Sequence, residues 1–430
     1  MSNTRFAIFA ALFALATCAF HAQKPWVGLD LRTLSLVAAL VVLLRPSSVA
    51  LFIVFIVLQT AAVYRAMPWV NTNRTLHFLV GITVLASLPA LAIRKHPHGF
   101  RGQDLLAAVE PALRLELLIV YVFSFWHKLN TDFIDASTSC AVALYGAFVQ
   151  NLAYLPLPPA QAAAPGVIFG TLLIEAALPL LLVIRRTRTT AVLVGAGFHF
   201  FLGIAWFYSF SATMVALLFL FSPLDLPKRA AQWWQGHRWI VWYGRLLIGA
   251  VLLMVLMGVA LSALREYVPA KLTDAAQFWA TIRGRVFLNI WFQYAIAIVV
   301  LVLIITRSTG PPMGARRLLF GGHPALLFFP LCAVLNGLCP YLGLKTETSF
   351  AMYSNLRTEA GQSNHLIVRK PLSLADYQTN LVRIVDSSDE VLAKAAAQGL
   401  PIPLIEVRKR IWYMAAEGKS DIAAATGPRH

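Results

Sequence analysis

A lysine lies at the end of a nearly continuous apolar helix. The run RLELLIVYVFSFWHKLNTDF, residues 114–133, predicts a helix that places Lys128 in or beside a lipid bilayer. A charged lysine at mid-membrane costs roughly 2.5 kcal/mol or more, so a functional role is the default interpretation. Loss of the proton removes part of this cost, because desolvation disfavours the ammonium form. The predicted chemistry is that of a neutral amine acting as a base. The alternative is a structural lysine that extends from a helix end to the lipid headgroups.

Two further ionisable residues fall inside apolar runs. Glu175 lies within GTLLIEAALPLLL, and His199 lies within GAGFHFFLGIAWF. Each residue taken alone is consistent with a helix-to-helix hydrogen bond. A lysine, a glutamate and a histidine on separate membrane helices instead predict a shared site, because such groups normally pair in a low-dielectric space. We expect Glu175 to hold His199 or a neighbouring helix. The aromatic residues that follow His199 either line a pocket or face lipid.

The composition indicates a helical membrane protein. Hydrophobic residues make up 59% of the 430 residues and charged residues 13%, too apolar for one soluble core. The net charge of +17 comes from Lys and Arg in loops between apolar runs, which favours orientation signals and anionic lipid over nucleic acid. The four cysteines form no CxxC and no zinc pattern, so no metal site is predicted.

The apolar runs predict an all-α polytopic membrane protein with about nine to eleven transmembrane or re-entrant helices. The first run, 6–20, is either a secretory signal peptide or an uncleaved first span, and the closely following runs favour the latter. The other candidate spans are 31–44, 49–64, 75–93, 104–127, 166–184, 190–206, 210–223, 239–263, 286–306 and 324–343.

The basic loops predict the orientation of the chain. An alternating path puts the loops at 94–101, 185–188, 228–229 and 307–317 on one side, which the positive-inside rule makes cytoplasmic. The N-terminus is then cytoplasmic, Lys128 lies near the outer face, and the chain after Tyr341 is extracytoplasmic. The predicted regions are N-terminal helices (1–103), a catalytic core (104–225), C-terminal helices (226–343) and a small extracytoplasmic tail (344–430), the first part of which folds back over the site.

The order of these signals resembles the vitamin K-dependent γ-glutamyl carboxylases and their bacterial homologues, the horizontally transferred transmembrane group. In that family an apolar helix ending in Lys-Lys-Leu-Asp-x-Asp-Trp carries the catalytic lysine. Residues 114–133 keep the Arg, the Ile-Val-Tyr, the Lys-Leu and the second acidic residue. They have His127 for the first lysine and Asn130 for the first aspartate. Glu175, a basic loop, His199 and the Ser222–Pro223 pair follow in the family's order, and PYLGLKTETSFAMYSNLRTEAGQSNHLIV is similar to its chain after the last span.

The resemblance implies that neutral Lys128 removes a proton from a reduced vitamin K-type quinone, which then reacts with oxygen to give a stronger base. That base would deprotonate a C–H bond of a small molecule or peptide glutamate, and CO₂ would add to the carbanion. His199 would be the second catalytic residue, and Lys128, His199 and Met352 would surround one cavity in the outer half of the membrane. The implied binding residues are His127, Asn130, Asp132, Glu175, Met352, Asn355, Arg357 and His365.

Two departures from the family leave other functions open. The family's assisting histidine has no clear counterpart, although Asn73 and His77 lie nearest in sequence. Fewer than a hundred residues follow Tyr341, less than the large region with which the animal enzymes capture their substrates. The second hypothesis is an enzyme of this fold that acts on another lipid-soluble substrate, such as a prenyl or terpenoid lipid, by acid–base chemistry. The third is a non-enzymatic transporter or accessory protein, although no internal repeat of the transporter kind is visible.

Overall fold

The computed structural model describes residues 4–23, 30–67, 70–93, 101–239, 242–246, 249–250, 253, 314–399 and 401–416. Its first ten helices are α1 (Thr4–Gln23), α2 (Leu31–Leu44), α3 (Val49–Arg65), α4 (Thr72–Ile93), α5 (Gly102–His127), the short α6 (Thr131–Ile134), α7 (Cys140–Asn151), α8 (Ala160–Val183), α9 (Arg188–Leu202) and α10 (Tyr208–Leu218). They are followed by α11 (Leu226–Gly236), α12 (Ala315–Phe320) and α13 (Phe328–Leu338). The predicted spans 239–263 and 286–306 lie largely or wholly outside the described residues.

Among the described residues, five helices are long and apolar enough to cross a membrane: Thr4–His21, Thr72–Ala92, Ala160–Val183, Arg188–Ala205 and Pro324–Leu342. Helices α2 and α3 are shorter apolar helices, and polar side chains cap both of them. Asp30 accepts the backbone N–H groups of Arg32 and Thr33 before α2, and Ser48 accepts that of Leu51 at the start of α3. Each cap satisfies backbone donors that the first turn of a helix leaves without a partner.

A buried ion cluster fixes one end of the bundle. The Arg5 guanidinium on α1 contacts Glu110 of α5 at 2.5 Å, and Arg114 contacts the same carboxylate at 2.6 Å. Arg114 also donates to the backbone oxygens of Leu220 and Leu318, at 2.9 and 3.0 Å. Breaking such a desolvated cluster typically costs 3–5 kcal/mol, roughly, because charges are left unpaired. The cluster therefore joins α1 and α5 to α12, which contains Leu318, and to the chain just after α10, which contains Leu220.

A close approach of α5 and α13 positions the other end of α5. A methyl group added at Gly337 of α13 would overlap the ring of Phe123 on α5. The absence of a side chain lets the two backbones approach, and the Gly337 oxygen then lies 3.0 Å from Nε2 of His127. Helix α5 packs against α4, α8 and α13.

Gly337→Ala should lower the free energy of unfolding by about 1–3 kcal/mol, the usual cost of overpacking a close contact. The midpoint of unfolding of the purified protein in mild detergent measures this loss. Gly170→Ala on α8 is the matched control, because a methyl group there meets no atom within 4 Å. Equal midpoints for the two variants would contradict the close contact of α5 and α13.

The chain after α13 forms short elements outside the helical bundle. Strand β1 (Leu381–Arg383) pairs antiparallel with β2 (Pro401–Pro403), with Val382 opposite Ile402. Helix α14 (Glu390–Gln398) connects the strands, and α15 (Leu404–Ala416) follows β2. Ile384, Leu392 and Val407 form a small apolar core between these elements.

Candidate functional site

Lys128 forms a buried ion pair with Glu175. Lys128 follows the last residue of α5, and its Nζ lies 2.8 and 3.0 Å from the two carboxylate oxygens of Glu175 on α8. The amine also donates to the backbone oxygen of Ser124 at 3.2 Å. This oxygen belongs to the last turn of α5, where unpaired carbonyl groups favour a positive charge. Lys128 is only 5% exposed, so its amine lies in the protein interior.

The ion pair borders a largely apolar cavity of about 310 Å³. This volume is within the range of roughly 300–1,000 Å³ that small-molecule sites occupy. Besides Lys128 and Glu175, the wall consists of Thr72, Ser124, Phe133, Ala141, Leu144, Tyr145, Phe148, Val167, Thr171, Phe198, Phe201, Leu202, Ala205, Phe207, Phe210, Met352 and Tyr353. Among the described lining residues, Lys128 and Glu175 are the two whose side chains form an ion pair, and most of the others are aromatic or aliphatic.

Helical spacing explains why these residues meet. Tyr121, Ser124 and Lys128 are separated by three and four residues, so they share one face at the end of α5. On α8, Glu175 lies on the buried stripe that includes Ile168 and Leu178. Ser124 was not predicted from the sequence, although its four-residue spacing from Lys128 is a signal that identifies it.

His199 does not pair with Glu175 and does not border the cavity. Its Nε2 lies 2.8 Å from the hydroxyl oxygen of Tyr121 on α5. Its Nδ1 has no hydrogen-bond partner among the described residues. The neighbouring Phe198 and Phe210 do border the cavity, and both rings pack against the imidazole, with centroids 5.3 and 5.7 Å away. His199 therefore lies one side-chain layer behind the wall, where it fixes Tyr121.

His127 and Asn130 hold the end of α5 and do not line the cavity. His127 faces α13, as its contact with the Gly337 oxygen shows. The Asn130 amide donates to the backbone oxygens of His127 and Ser354, at 2.8 and 2.5 Å. Its side-chain oxygen accepts the N–H of Phe133 and caps α6. Both side chains are thus engaged in positioning the turn that carries Lys128.

The segment after α13 packs directly against this turn. Asn130 and His365 form an isolated antiparallel bridge, and the Leu366 N–H donates to the Leu129 oxygen at 2.9 Å. His365 Nε2 lies 2.9 Å from the oxygen of Trp126, while Nδ1 accepts the N–H groups of residues 367 and 368. Because Nδ1 accepts, Nε2 carries the proton. Burial lowers the pKa of His365, which favours this neutral form.

Asp132, Arg357 and Asn355 lie on the outer side of the same junction. Asp132 pairs with Arg357, whose side chain is 71% exposed. The Asn355 side chain accepts the N–H of Cys140 at 2.8 Å and donates to the oxygen of Thr138 at 2.9 Å. These three residues connect the C-terminal segment to the loop between α6 and α7. None of them borders the cavity.

Met352 and Tyr353 are the residues of the C-terminal segment that border the cavity. The Tyr353 ring meets the Phe207 ring edge-on, with centroids 4.3 Å apart. Tyr353 and Phe350 have positive φ angles of 53° and 63°, a conformation that is uncommon for residues other than glycine. Surrounding contacts must hold such a backbone in place. The segment therefore presents a defined surface to the cavity.

Asn73 and His77, the candidates for an assisting histidine segment, belong to a separate polar network. Nδ1 of His77 lies 3.1 Å from the amide nitrogen of Gln59, and Nε2 lies 2.6 Å from the hydroxyl oxygen of Thr213. That hydroxyl donates to the Asn73 side-chain oxygen at 2.9 Å. The network joins α3, α4 and α10 behind the cavity wall. Neither Asn73 nor His77 borders the cavity itself.

The fold and the composition together define a largely helical membrane protein with a buried Lys–Glu pair beside an apolar cavity. Comparison of the chain with protein-family models, with curated proteins and with solved structures found no match.

Proposed function

We propose that this protein is a membrane-embedded enzyme that performs acid–base chemistry on a lipid-soluble ligand, with Lys128 and Glu175 as the proton-transferring groups. The observation that carries the proposal is the position of this pair. Both residues are buried, they contact each other at 2.8 Å, and both border the same apolar cavity. Ionisable groups that are paired in a cavity of low polarity are typical of catalytic sites.

The pair provides one base and one acid in fixed positions. The distances between Lys128 Nζ and the Glu175 oxygens are compatible with an ammonium and a carboxylate. They are equally compatible with the neutral amine and carboxylic acid that form when one proton moves from Lys128 to Glu175. The neutral amine of Lys128 accepts a proton from a ligand hydroxyl, while Glu175 and the Ser124 oxygen hold the amine in place. Once the amine has taken up the proton, the Phe133 ring, whose centre lies 5.9 Å from Nζ, is within the range in which an aromatic face stabilises the ammonium.

A reduced vitamin K-type quinone is the ligand that we propose. When bound, this group would supply the oxygen-dependent chemistry that generates a base strong enough for C–H deprotonation before CO₂ addition to a small-molecule or peptide glutamate substrate. The cavity suits its flat ring because Phe198 and Phe210 offer aromatic faces and edges, and Lys128 offers the polar contact. Tyr121 and His199 act indirectly, through the position of the α5 face that carries Ser124 and Lys128.

An enzyme acting on a prenyl or terpenoid lipid is the second candidate. The observation that favours it is the wall of the cavity, where most side chains are aliphatic or aromatic and would pack against a branched hydrocarbon chain as well as against a ring. The same Lys128–Glu175 pair would then serve proton transfer without an oxygen-dependent step.

We also propose the orientation that the basic loops predict. The cluster of Arg5, Glu110 and Arg114 would lie at the cytoplasmic end, and the C-terminal segment would lie at the outer end with Lys128. Glu110 and Lys128 are eighteen residues apart on or just beyond α5, roughly 27 Å by the helical rise. This separation supports placing the two at opposite ends of the bundle.

Organic extraction of the purified protein, followed by mass spectrometry of the extract, tests the proposal and separates its two candidates. We expect a naphthoquinone at a molar ratio near that of the protein. A co-purifying prenyl lipid would favour the second candidate instead. The matched control is a variant with Phe210→Ala and Met352→Ala, which removes two side chains from the wall and should lose the ligand. Extracts that contain only bulk phospholipid from both proteins would contradict a ligand site in this cavity.

A further inference from the structure

Two aromatic side chains form part of the cavity wall between α7 and α9. Phe148 of α7 and Phe201 of α9 meet edge to face, with ring centroids 5.7 Å apart. Both rings border the cavity, yet Phe201 is 56% exposed. The Phe201 side chain therefore borders the cavity and is also accessible from outside the protein. At this position the wall of the cavity is one side chain thick.

Apolar side chains are exposed on α8 and on α9, the helix that carries Phe201. Helices α8 and α9 are both apolar enough to span a membrane. Both helices expose large hydrophobic side chains, which include Phe169 and Leu173 on α8 and Val194 on α9. An exposed apolar surface on a spanning helix faces lipid chains. The outer side of Phe201 therefore faces the bilayer.

The backbone is irregular directly beside this contact. Gly203–Phe207 form a π-helical turn between α9 and α10, and the Asn151 side chain at the end of α7 donates to the Ile204 oxygen at 2.8 Å. Ala205 and Phe207 of the turn also border the cavity. Turns of this kind interrupt α-helices frequently at functional sites. The line of contact between α7 and α9, called the seam below, is thus closed at the π turn by the hydrogen bond of Asn151 to Ile204. Next to the turn it is closed by the contact of the Phe148 and Phe201 rings.

A contact between two aromatic rings is a weak and reversible closure. Edge-to-face pairs contribute little beyond the area they bury, and the ring of a partly exposed phenylalanine changes rotamer rapidly. Met352 and Tyr353 of the C-terminal segment form another part of the cavity wall. A ligand dissolved in the bilayer therefore needs an opening in the part of the wall that faces lipid.

We propose that the seam between α7 and α9 is a lateral portal through which a ligand dissolved in the bilayer enters the cavity, and that Phe148 and Phe201 are its gate. The portal admits hydrophobic molecules from the acyl-chain region and excludes water-soluble ones. The proposal depends on the cavity receiving a membrane ligand. It does not depend on which reaction Lys128 and Glu175 perform.

A cysteine placed in the cavity reports access directly. The reporter is Ala205→Cys, at a position that borders the cavity and is 3% exposed, in a full-length chain whose four native cysteines are replaced by serine. The protein is reconstituted in phosphatidylcholine vesicles at alkaline pH. Labelling rates are compared for N-phenylmaleimide, which dissolves in the bilayer, and N-(4-carboxyphenyl)maleimide, which has the same shape but carries a charge. We expect the uncharged reagent to react faster.

Phe201→Ala should raise the rate for the uncharged reagent by about two- to tenfold, the factor that corresponds to loss of one aromatic ring contact. Phe169→Ala is the matched control, because Phe169 is also exposed but does not border the cavity, and it should leave the rate unchanged. Ala141→Cys, another small residue of the wall, provides a second reporter if Ala205→Cys lowers the unfolding midpoint.

Equal labelling rates for the two reagents would overturn the proposal, because they would show access from water. An unchanged rate in Phe201→Ala would overturn it as well. Labelling follows access to the cavity and requires no turnover, so either result leaves the acid–base proposal to be judged by extraction and by the Lys128 variants.

Discussion

Lys128→Arg should lower turnover by roughly 100-fold or more, the lower range for removal of a general base, while the protein folds and inserts normally. Arginine keeps a positive charge opposite Glu175, so the buried pair is retained. It cannot give up a proton at accessible pH, so it cannot act as the base. The measurement is oxygen consumption by the protein in lipid nanodiscs supplied with a reduced naphthoquinone, together with the unfolding midpoint of each variant.

Lys228→Arg is the matched control, because Lys228 is exposed on α11 and should tolerate the change without loss of turnover.

Lys128→Ala should also be inactive, and small primary amines added to the solution should restore part of its activity. Removal of the Lys128 side chain leaves a space next to Glu175, and the added amine can bind there. Rescue should grow as the pH passes the pKa of the amine, because only the neutral form is a base. Full activity of Lys128→Arg would refute a base at this position.

Removing one member of the Lys128–Glu175 pair should destabilise the protein far more than removing both. Lys128→Leu leaves the Glu175 carboxylate buried without its cation, and Glu175→Leu leaves the ammonium in the same situation. Each single change should cost roughly 3–5 kcal/mol of the free energy of unfolding. The double variant replaces the pair by apolar side chains of similar size, which is often nearly neutral for stability.

The unchanged protein, the two single variants and the double variant are kept in mild detergent and unfolded by adding a denaturing detergent. Their four free energies of unfolding form a double-mutant cycle, which gives the coupling energy of the pair. We expect the double variant to be more stable than either single variant. The corresponding changes at Lys409 and Glu406, a partly exposed pair on α15 with a distance of 2.6 Å, provide the control and should show weak coupling, about 0–1 kcal/mol. Additive losses at Lys128 and Glu175 would show that the two groups do not form a buried pair.

The sequence by itself determined the class of protein and the residues with chemical potential. Runs of apolar residues predicted α2 at 31–44 and the end of α5 at His127 because hydrophobicity is a local property. The cost of burying charge identified Lys128 and Glu175 without any knowledge of their partners. Helix α7 was not predicted, since residues 140–151 are too few to register as a span. The π turn after α9 leaves no periodic signal of its own.

Only the tertiary structure decided which residues meet. The sequence left open whether Glu175 holds His199 or a neighbouring helix. The packing of α5 against α8 brings Glu175 to Lys128 and leaves His199 to Tyr121. Helix rotation sets these pairings, and a helix can turn a given residue toward any neighbour without a change in its apolar pattern. The same holds for the C-terminal segment, where Met352 reaches the cavity while Arg357 remains on the outer side. Contacts between residues more than two hundred positions apart depend on the path of the whole chain, which no local pattern encodes.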